Sequence, residues 1–385
     1  MEVVDKTIVG KALGVLDYTT YSTTELANAL YQGLDQLHWV RTLKEALRRG
    51  TKFQMMDLAY IFRHSEATDL RDHLFAVLGL VSNVIDPALS PRYKDTILQT
   101  CIRYARYWLE RKGNLEVLYR AGLNGHKLLA PSWIPNWYGA QTEFKSGYAD
   151  GLWDPLRRPP FYHVSRGTRP EVHYTSDSTL LGATGVLIDS VADLADHHIR
   201  NPPKQPHDKT TMIEIKRQHL LESDRIISTL TKYPTGEDVF EVQWRTLICN
   251  VTHGLTKAPA SYRDAYQVWR RFLLCDLTLP RSDVPNQLPF RQVIDEYNGD
   301  KIFGLTTAGY VGMFPHYARR NDKIAVLYGG EFPFVLREIQ NKGQASYELV
   351  GQCYVHGLME NGQLDLEELK PKTQTIWLGG DYEIQ

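Results

Sequence analysis

The sequence predicts an α+β protein, because helical and strand-like patterns occupy separate stretches of the chain. Apolar residues recur every three to four positions before residue 125 and again between residues 208 and 298, which is the spacing of a buried helix face. Between residues 302 and 358, short runs rich in Val, Leu and Tyr alternate with turn signals. We therefore expect a helical N-terminal lobe and an antiparallel β sheet or small barrel with a helical insertion.

These patterns divide the 385-residue chain into four segments. Residues 1–125 form the helical lobe, and residues 126–205 form an aromatic and proline-rich segment that contains the first strands of the β lobe. Residues 206–300 are the helical insertion, and residues 301–385 are an antiparallel meander that completes the β lobe. The strands of 179–194 and 302–358 are expected to share one sheet or barrel, although the insertion separates them.

The helices begin and end at specific signals. Residues 22–25, STTE, have the spacing of a capping box, so a helix is expected to start there, and a second helix is expected to end at Gly50. An apolar stripe predicts a core-facing helix that Gly113 closes; it consists of Ile97, Cys101, Ala105 and Trp108. In the insertion, apolar residues around Trp244 and Trp269 predict two amphipathic helices.

The strand predictions rest on β-branched residues and turn signals. Residues 179–194, TLLGATGVLIDSVADL, predict two short strands around their glycines. A proline-rich linker, NPPKQPHD, follows at residues 201–208. The later runs KIAVLYGG, FPFVLRE and SYELVGQCYVHGL are separated by Gly-Gly, Asn-Lys-Gly and Asn-Gly, which predicts the meander.

Composition excludes several classes of protein. Lys plus Arg number 44 and Asp plus Glu number 45, and this balance argues against an electrostatic nucleic-acid binder. No apolar run reaches the roughly 18 residues that span a bilayer, and the start MEVVDKTIVG lacks the pattern of a secretion signal. The four cysteines are widely spaced, which is typical of reduced thiols. We expect a cytoplasmic protein.

The signatures of most cofactor and nucleophile sites are missing from the sequence. It contains no GxxxxGK[ST], HExxH, GxSxG or paired CxxC motif, and Gly182-Ala183-Thr184-Gly185 has the wrong spacing for a dinucleotide site. Acidic and histidine side chains before the proline linker are interpreted as a solvated surface rather than a metal site; they are Asp193, Asp196, His197 and His198. Further lone histidines, typical of structural groups, are His126, His163, His173, His316 and His356. We expect neither a metal nor a cofactor.

Aromatic side chains in loop-like segments are the remaining candidates for a site. They offer wide apolar walls with single donors, which suits a pocket for a bulky apolar ligand. The predicted walls are Trp133, Trp137, Tyr138, Tyr310 and Phe314. The predicted hydrogen-bond donors are Tyr162, His163, His316, Tyr317 and Arg319. Ordinary packing of loops on a core is the alternative interpretation of every one of these residues.

Several stretches together resemble the fungal heterokaryon-incompatibility (HET) domain protein family. Residues 67–80, ATDLRDHLFAVLGL, resemble its ATDPRDKVYALLGL block, with Leu70 in place of the usual proline. Further blocks follow in the family's order across residues 57–360: PSWIPNW at 131–137, WRTL at 244–247, GYVG at 309–312, NDKI at 321–324, PFVLR at 333–337 and YVHG at 354–357. The family's upstream HET core, with a first motif like YxALSYxWG, is not visible, and its acidic GE becomes Asn361-Gly362-Gln363. We expect the core to be absent, so its catalytic residues cannot be carried over.

Two functions are consistent with this resemblance. The first is a cofactor-free cyclase of the pericyclase or Diels-Alderase type, which acts on a bulky apolar precursor in fungal secondary metabolism. Such a reaction requires only that a flexible chain be held in a reactive conformation while a donor is directed at a carbonyl. The second is a non-enzymatic partner or regulator in incompatibility signalling. The oligomeric state and the substrate stay open.

Overall fold

The computed structural model describes most of the chain from residue 54 onward. The described residues are 41, 44, 45, 48, 49, 54–63, 65, 67–81, 86–123, 130–137, 161–176, 178–196, 209–274, 284–297, 301–341, 344–359 and 364–380. The chain divides into two compact units, Met1–Lys52 and Phe53–Gln385. In the first unit, Arg41, Lys44, Glu45 and Arg48 are helical, while the predicted helix start at residues 22–25 and the predicted end at Gly50 lie outside the described residues.

The second unit is an α+β domain, as the sequence predicts. Its helices are α1 (Met55–Ile61), α2 (Asp72–Phe75), α3 (Ile97–Lys112), α4 (Glu116–Tyr119), α5 (Lys209–Ile227), α6 (Val239–Leu247), α7 (Tyr262–Leu274), α8 (Val284–Tyr297) and α9 (Leu366–Leu369). Short 3-10 helices cover Ala76–Leu80, Pro87–Leu89 and Lys370–Lys372. The strands are β1 (Val172–Tyr174), β2 (Leu181–Leu194), β3 (Lys301–Thr306), β4 (Val311–Pro315), β5 (Lys323–Leu327), β6 (Phe334–Asn341), β7 (Gln344–Gln352), β8 (Tyr354–Val355) and β9 (Gln374–Gly379).

The predicted helices are confirmed where they are described. Helix α3 begins at a capping box in which the Thr96 hydroxyl and the Gln99 side chain each accept from the other residue's amide. It ends at Gly113, and its stripe buries Cys101, Ala105 and Trp108. The insertion contains α6 and α7, which carry the apolar faces around Trp244 and Trp269.

Five strands close into a small barrel. The order β5-β6-β7-β9-β2 becomes a ring because β2 pairs with both β9 and β5. Strands β3, β4 and β8 continue the sheet from the C-terminal part of β2. The segments 179–194 and 302–358 therefore share one sheet, as expected.

Two details of the sheet differ from the prediction. Residues 181–194 form one long strand rather than two short ones, and register shifts between Leu187 and Asp189 and between Val191 and Asp193 interrupt it. These irregularities bend the strand, so that its first part pairs inside the barrel and its last part pairs with β3. The sheet is also not wholly antiparallel. Strand β9 runs parallel to β7, because the connection through α9 returns the chain to the same end of the sheet.

The barrel core extends toward the helical insertion. Phe314 on β4 is fully buried in an apolar cluster that includes Val191, Ile324, Val335 and Val355. Helix α6 packs against β4. Gly312 on β4 lets β8 approach closely, since a Cβ at this position would overlap the carbonyl oxygen of Tyr354. The end of β8 is thereby held beside the insertion.

None of the helices within the described ranges is both long enough and apolar enough to cross a membrane. Cys101, Cys249 and Cys353 are buried free thiols.

Candidate functional site

A cavity of about 260 Å³ lies where the helical insertion meets the end of β8. Three parts of the chain surround it: the loop at Tyr162, the segment from just before α6 to the loop after it, and the turn that follows β8. Most of the side chains that line the cavity are polar. The lining residues are Tyr162, Glu237, Arg245, Asn250, Lys257, Ala258, Tyr354, His356, Gly357 and Met359.

Three of these side chains form a continuous hydrogen-bonded chain. The Tyr354 hydroxyl lies 2.8 Å from Nδ1 of His356, and Nε2 of His356 lies 3.2 Å from Oε2 of Glu237. Tyr354 is on β8 and His356 begins the turn that follows it, and both side chains line the cavity. Glu237 comes from the other wall, directly before Asp238, whose carboxylate accepts from the Glu241 amide at the start of α6.

The charge on Glu237 fixes the direction of these hydrogen bonds. The hydrogen bond from His356 lowers the pKa of Glu237 to about 2, and a second hydrogen bond, from the Thr235 hydroxyl, acts in the same direction. An ionised carboxylate only accepts, so Nε2 of His356 must carry a proton. In the neutral ring Nδ1 is then an acceptor, and the Tyr354 hydroxyl donates to it.

A second buried tyrosine fixes the backbone beneath the histidine. The Tyr233 hydroxyl donates to the His356 carbonyl oxygen at 2.7 Å and accepts from the Val311 amide at 3.3 Å. Burial raises the pKa of Tyr233, which keeps this phenol neutral. Gly357 follows with a φ of 85°, and a Cβ there would lie 2.7 Å from Cγ2 of Thr235. The turn after β8 therefore has little freedom to shift.

Arg245 organises the opposite wall of the cavity. Its Nη1 donates to Oδ1 of Asn250 at 2.8 Å and to the Ala258 carbonyl oxygen at 3.0 Å. Its guanidinium also lies over the Trp244 ring at 4.3 Å and pairs with Glu241. These contacts close the loop after α6 and bring Asn250 and Ala258 to the cavity.

The loop after α6 contains an unusual backbone. Cys249, Asn250 and Leu255 have φ values of 50°, 55° and 58°, which place three non-glycine residues in the left-handed region. The Cys249 carbonyl oxygen accepts from the Tyr162 hydroxyl, so this tyrosine holds the loop and presents its ring to the cavity. Strained conformations of this kind concentrate at functional sites.

The arrangement is suited to acid–base chemistry on a small polar ligand. A phenol is hydrogen-bonded to an imidazole, the imidazole is oriented by a carboxylate, and the cations of Arg245 and Lys257 line the same space. Within the described ranges no group of three or more His, Cys, Asp or Glu could hold a metal ion. Asp193 is paired with Arg225 and Arg320, whereas His197 and His198 lie outside the described residues.

The structure brings one of the ten predicted site residues, Tyr162, into this cavity. Among the predicted walls, Phe314 belongs to the barrel core, and Tyr310 packs edge-on against Tyr233 with ring centroids 5.9 Å apart. Trp133 and Trp137 are fully buried; Trp133 Nε1 donates to the Thr179 carbonyl oxygen, and Trp137 packs on Trp108. Tyr138 lies outside the described residues.

The other predicted donors occupy different surroundings. His163 is exposed, and its amide donates to the Met359 carbonyl oxygen at 3.0 Å. His316 is buried with its ring edge-on to Tyr317, at 4.8 Å between centroids. Arg319 is exposed, and its amide donates to Asp322. These four residues do not line the cavity, and their roles stay predictions.

Sequence reasoning missed Glu237, Tyr354 and His356. His356 was interpreted as one of several lone histidines, and Tyr354 as part of a strand. The signal that could have found them is the i, i+2 pairing of a tyrosine and a histidine in an extended run. Nothing local connects this pair to Glu237, which lies more than a hundred residues earlier.

Comparison with known proteins shows which proteins this chain is similar to. Residues 258–373 match the family model of the Het-6 beta-barrel domain. The chain is also 22% identical over 358 residues to "Heterokaryon incompatibility protein 6, OR allele" from Neurospora crassa, and the match covers 78% of this chain. It covers 50% of that relative, so the chain spans about half the length of the curated relative it matches. No solved structure matches.

The chain is similar to HET-family proteins over the C-terminal region that contains the barrel. The resemblance in the sequence blocks is thereby confirmed. The family match begins at Ala258, which lines the cavity, and it includes β3 to β8.

Proposed function

We propose that this chain acts in heterokaryon incompatibility. The observation that carries the proposal is the match to a named incompatibility protein over 78% of this chain. That match is supported by the Het-6 beta-barrel domain at residues 258–373. In this proposal the described unit serves as a binding module, and its polar cavity takes a small ligand.

The genetic test uses fungal strains that differ at this gene alone. Forced heterokaryons are made between a strain that carries the gene and strains with divergent alleles, and colony growth is measured. We expect growth to be inhibited in at least one pairing, and deletion of the gene to restore it. If growth is equal in every pairing, with the gene present or deleted, the proposal is wrong.

A second candidate function is the cofactor-free cyclase. One observation favours it: Tyr162 was predicted as a substrate donor at the junction of the helical and β segments, and it lines a cavity at such a junction. Because the lining is polar, this cavity suits a precursor that carries polar groups at its reacting end.

The test for the cyclase supplies the linear precursor made by a neighbouring biosynthetic gene and measures product ratios. Tyr162→Phe is expected to change the ratios, because it removes the hydroxyl that holds the Cys249 loop at the cavity. Tyr328→Phe is the matched control, since it also removes a tyrosine hydroxyl, and Tyr328 does not line the cavity. Equal ratios with and without the wild-type protein would discard the cyclase.

A further inference from the structure

We propose that Tyr354 is a reactive phenol, activated by His356 and Glu237 for acid–base or nucleophilic chemistry on a small polar carbonyl compound. This inference concerns the cavity itself and holds whether or not the chain takes part in incompatibility. It names a site within the Het-6 beta-barrel region, at the point where β8 ends.

The geometry matches the general arrangement of an activated nucleophile. Such a group lies within hydrogen-bond reach of a base, and a third group orients the base. Here the phenol–imidazole distance is 2.8 Å and the imidazole–carboxylate distance is 3.2 Å. Because the ionised Glu237 requires a proton on Nε2, Nδ1 of His356 can take the phenol proton from Tyr354.

The surroundings favour both charge separation and access. His356 is 5% exposed and Tyr354 is 2% exposed, so little water competes for their polar atoms and a small ligand reaches the phenol through the cavity. Glu237, which also lines the cavity, is 41% exposed. Lys257 and Arg245 add positive charge to the lining, and an opposite charge nearby stabilises a phenolate. The same cations would attract a ligand carbonyl or carboxylate toward Tyr354.

The strained backbone of the loop after α6 maintains the shape of the cavity. Cys249 and Asn250 both have left-handed backbone conformations, and one hydrogen bond holds each of them. The Cys249 carbonyl oxygen accepts from the Tyr162 hydroxyl, and Oδ1 of Asn250 accepts from Arg245. Relaxing this loop would move Asn250 and the residues up to Ala258 away from Tyr354. The loop therefore maintains the polar wall that faces the phenol.

A small electrophile tests the proposal without knowledge of the natural ligand. Methanesulfonyl fluoride is added to the purified full chain, and modified peptides are quantified by mass spectrometry over time. The phenol oxygen of Tyr354 attacks sulfur, an oxygen–sulfur bond forms, and the sulfur–fluorine bond breaks. Fluoride leaves with the electron pair, and the phenol proton passes to His356.

We expect Tyr354 to be labelled at least about tenfold faster than Tyr328, which is a cautious threshold below the roughly 10²–10⁴-fold effect of a positioned base. Tyr328 is the matched control because it is half-buried and its hydroxyl is hydrogen-bonded to the Thr373 hydroxyl rather than to an imidazole. Lys370 interacts electrostatically with Tyr328, and a nearby cation favours the phenolate, so this control makes the comparison stringent. Glu237→Gln should lower the labelling rate at Tyr354 about tenfold or more while leaving that of Tyr328 unchanged.

Three results would overturn the proposal. One is labelling of Tyr354 no faster than that of Tyr328, and another is an unchanged rate at Tyr354 in Glu237→Gln. The third is labelling of Lys257 or His356 in place of Tyr354. His356→Phe removes the base itself and tests the same mechanism independently of Glu237→Gln. Circular dichroism verifies that each variant is folded. If His356→Phe does not fold, the Glu237→Gln rate decides the question.

Discussion

Replacing Arg120 with methionine should destabilise the second unit strongly, because this guanidinium is the cation of a buried ion cluster. The Arg120 side chain is 0% exposed, and its Nη2 donates to Oδ1 of Asp57 at 2.6 Å and to Oε1 of Glu116 at 3.1 Å. Asp57 is on α1 and Glu116 is on α4, so the cluster joins two helices that are separated in sequence.

The size of the effect follows from what the substitution leaves behind. Two nearly buried carboxylates would share one site without their common cation, and breaking a buried pair in this way costs about 3–5 kcal/mol. Methionine has a volume similar to that of arginine, so the loss of stability measures the removed charge and not a new cavity.

Urea denaturation followed by tryptophan fluorescence measures this loss. The triple variant Arg120→Met, Asp57→Asn and Glu116→Gln is the control, because it removes all three charges together. It should recover much of the stability that Arg120→Met loses. A loss below about 1 kcal/mol for Arg120→Met would refute the reasoning, since that is the range of an exposed ion pair.

Three further predictions concern stability. Because the pKa of Glu237 is lowered in the folded protein, its ionised carboxylate adds to the free energy of unfolding. This contribution is complete above about pH 4.5 and is lost as the pH falls toward about 2. In Glu237→Gln the melting temperature should depend less on pH across this range. The variant should lose about 1 kcal/mol or less of stability, because the carboxylate is 41% exposed. Gly357→Ala should cost about 1–2 kcal/mol in urea denaturation, since its φ is 85° and the new Cβ would meet Thr235. Thr96→Ala should cost about 1 kcal/mol by the same measurement, because it removes the capping box of α3, and Thr96→Ser should restore it.

The elements that could be predicted from the sequence are those specified by local pattern. The apolar stripe and the capping residues of α3 lie within one segment, and so do the turn signals between β5, β6 and β7. The single long strand β2 could not be predicted, because the glycines that suggest a break allow close packing. A Cβ at Gly185 would overlap the Val326 carbonyl oxygen of the paired strand β5.

The candidate site could be predicted only in part, because three separate segments contribute to it. Tyr162 was found from its aromatic loop, but His356 and Glu237 meet only after the insertion folds onto the end of β8. Trp133 and Trp137 show the opposite case. Their loop context indicated a ligand wall, yet both side chains are fully buried in the packing against Thr179 and Trp108.

The state of the His356 ring tests the central claim most directly, because the reactive phenol depends on it. Nitrogen-15 NMR of histidine-labelled protein, with His356 assigned by its loss in His356→Gln, reports which ring nitrogen carries the proton. In the neutral ring we predict a protonated Nε2 and an unprotonated Nδ1 that accepts from Tyr354. A proton on Nδ1, or two nitrogens averaged as in a free imidazole, would contradict the chain of hydrogen bonds from Tyr354 to Glu237.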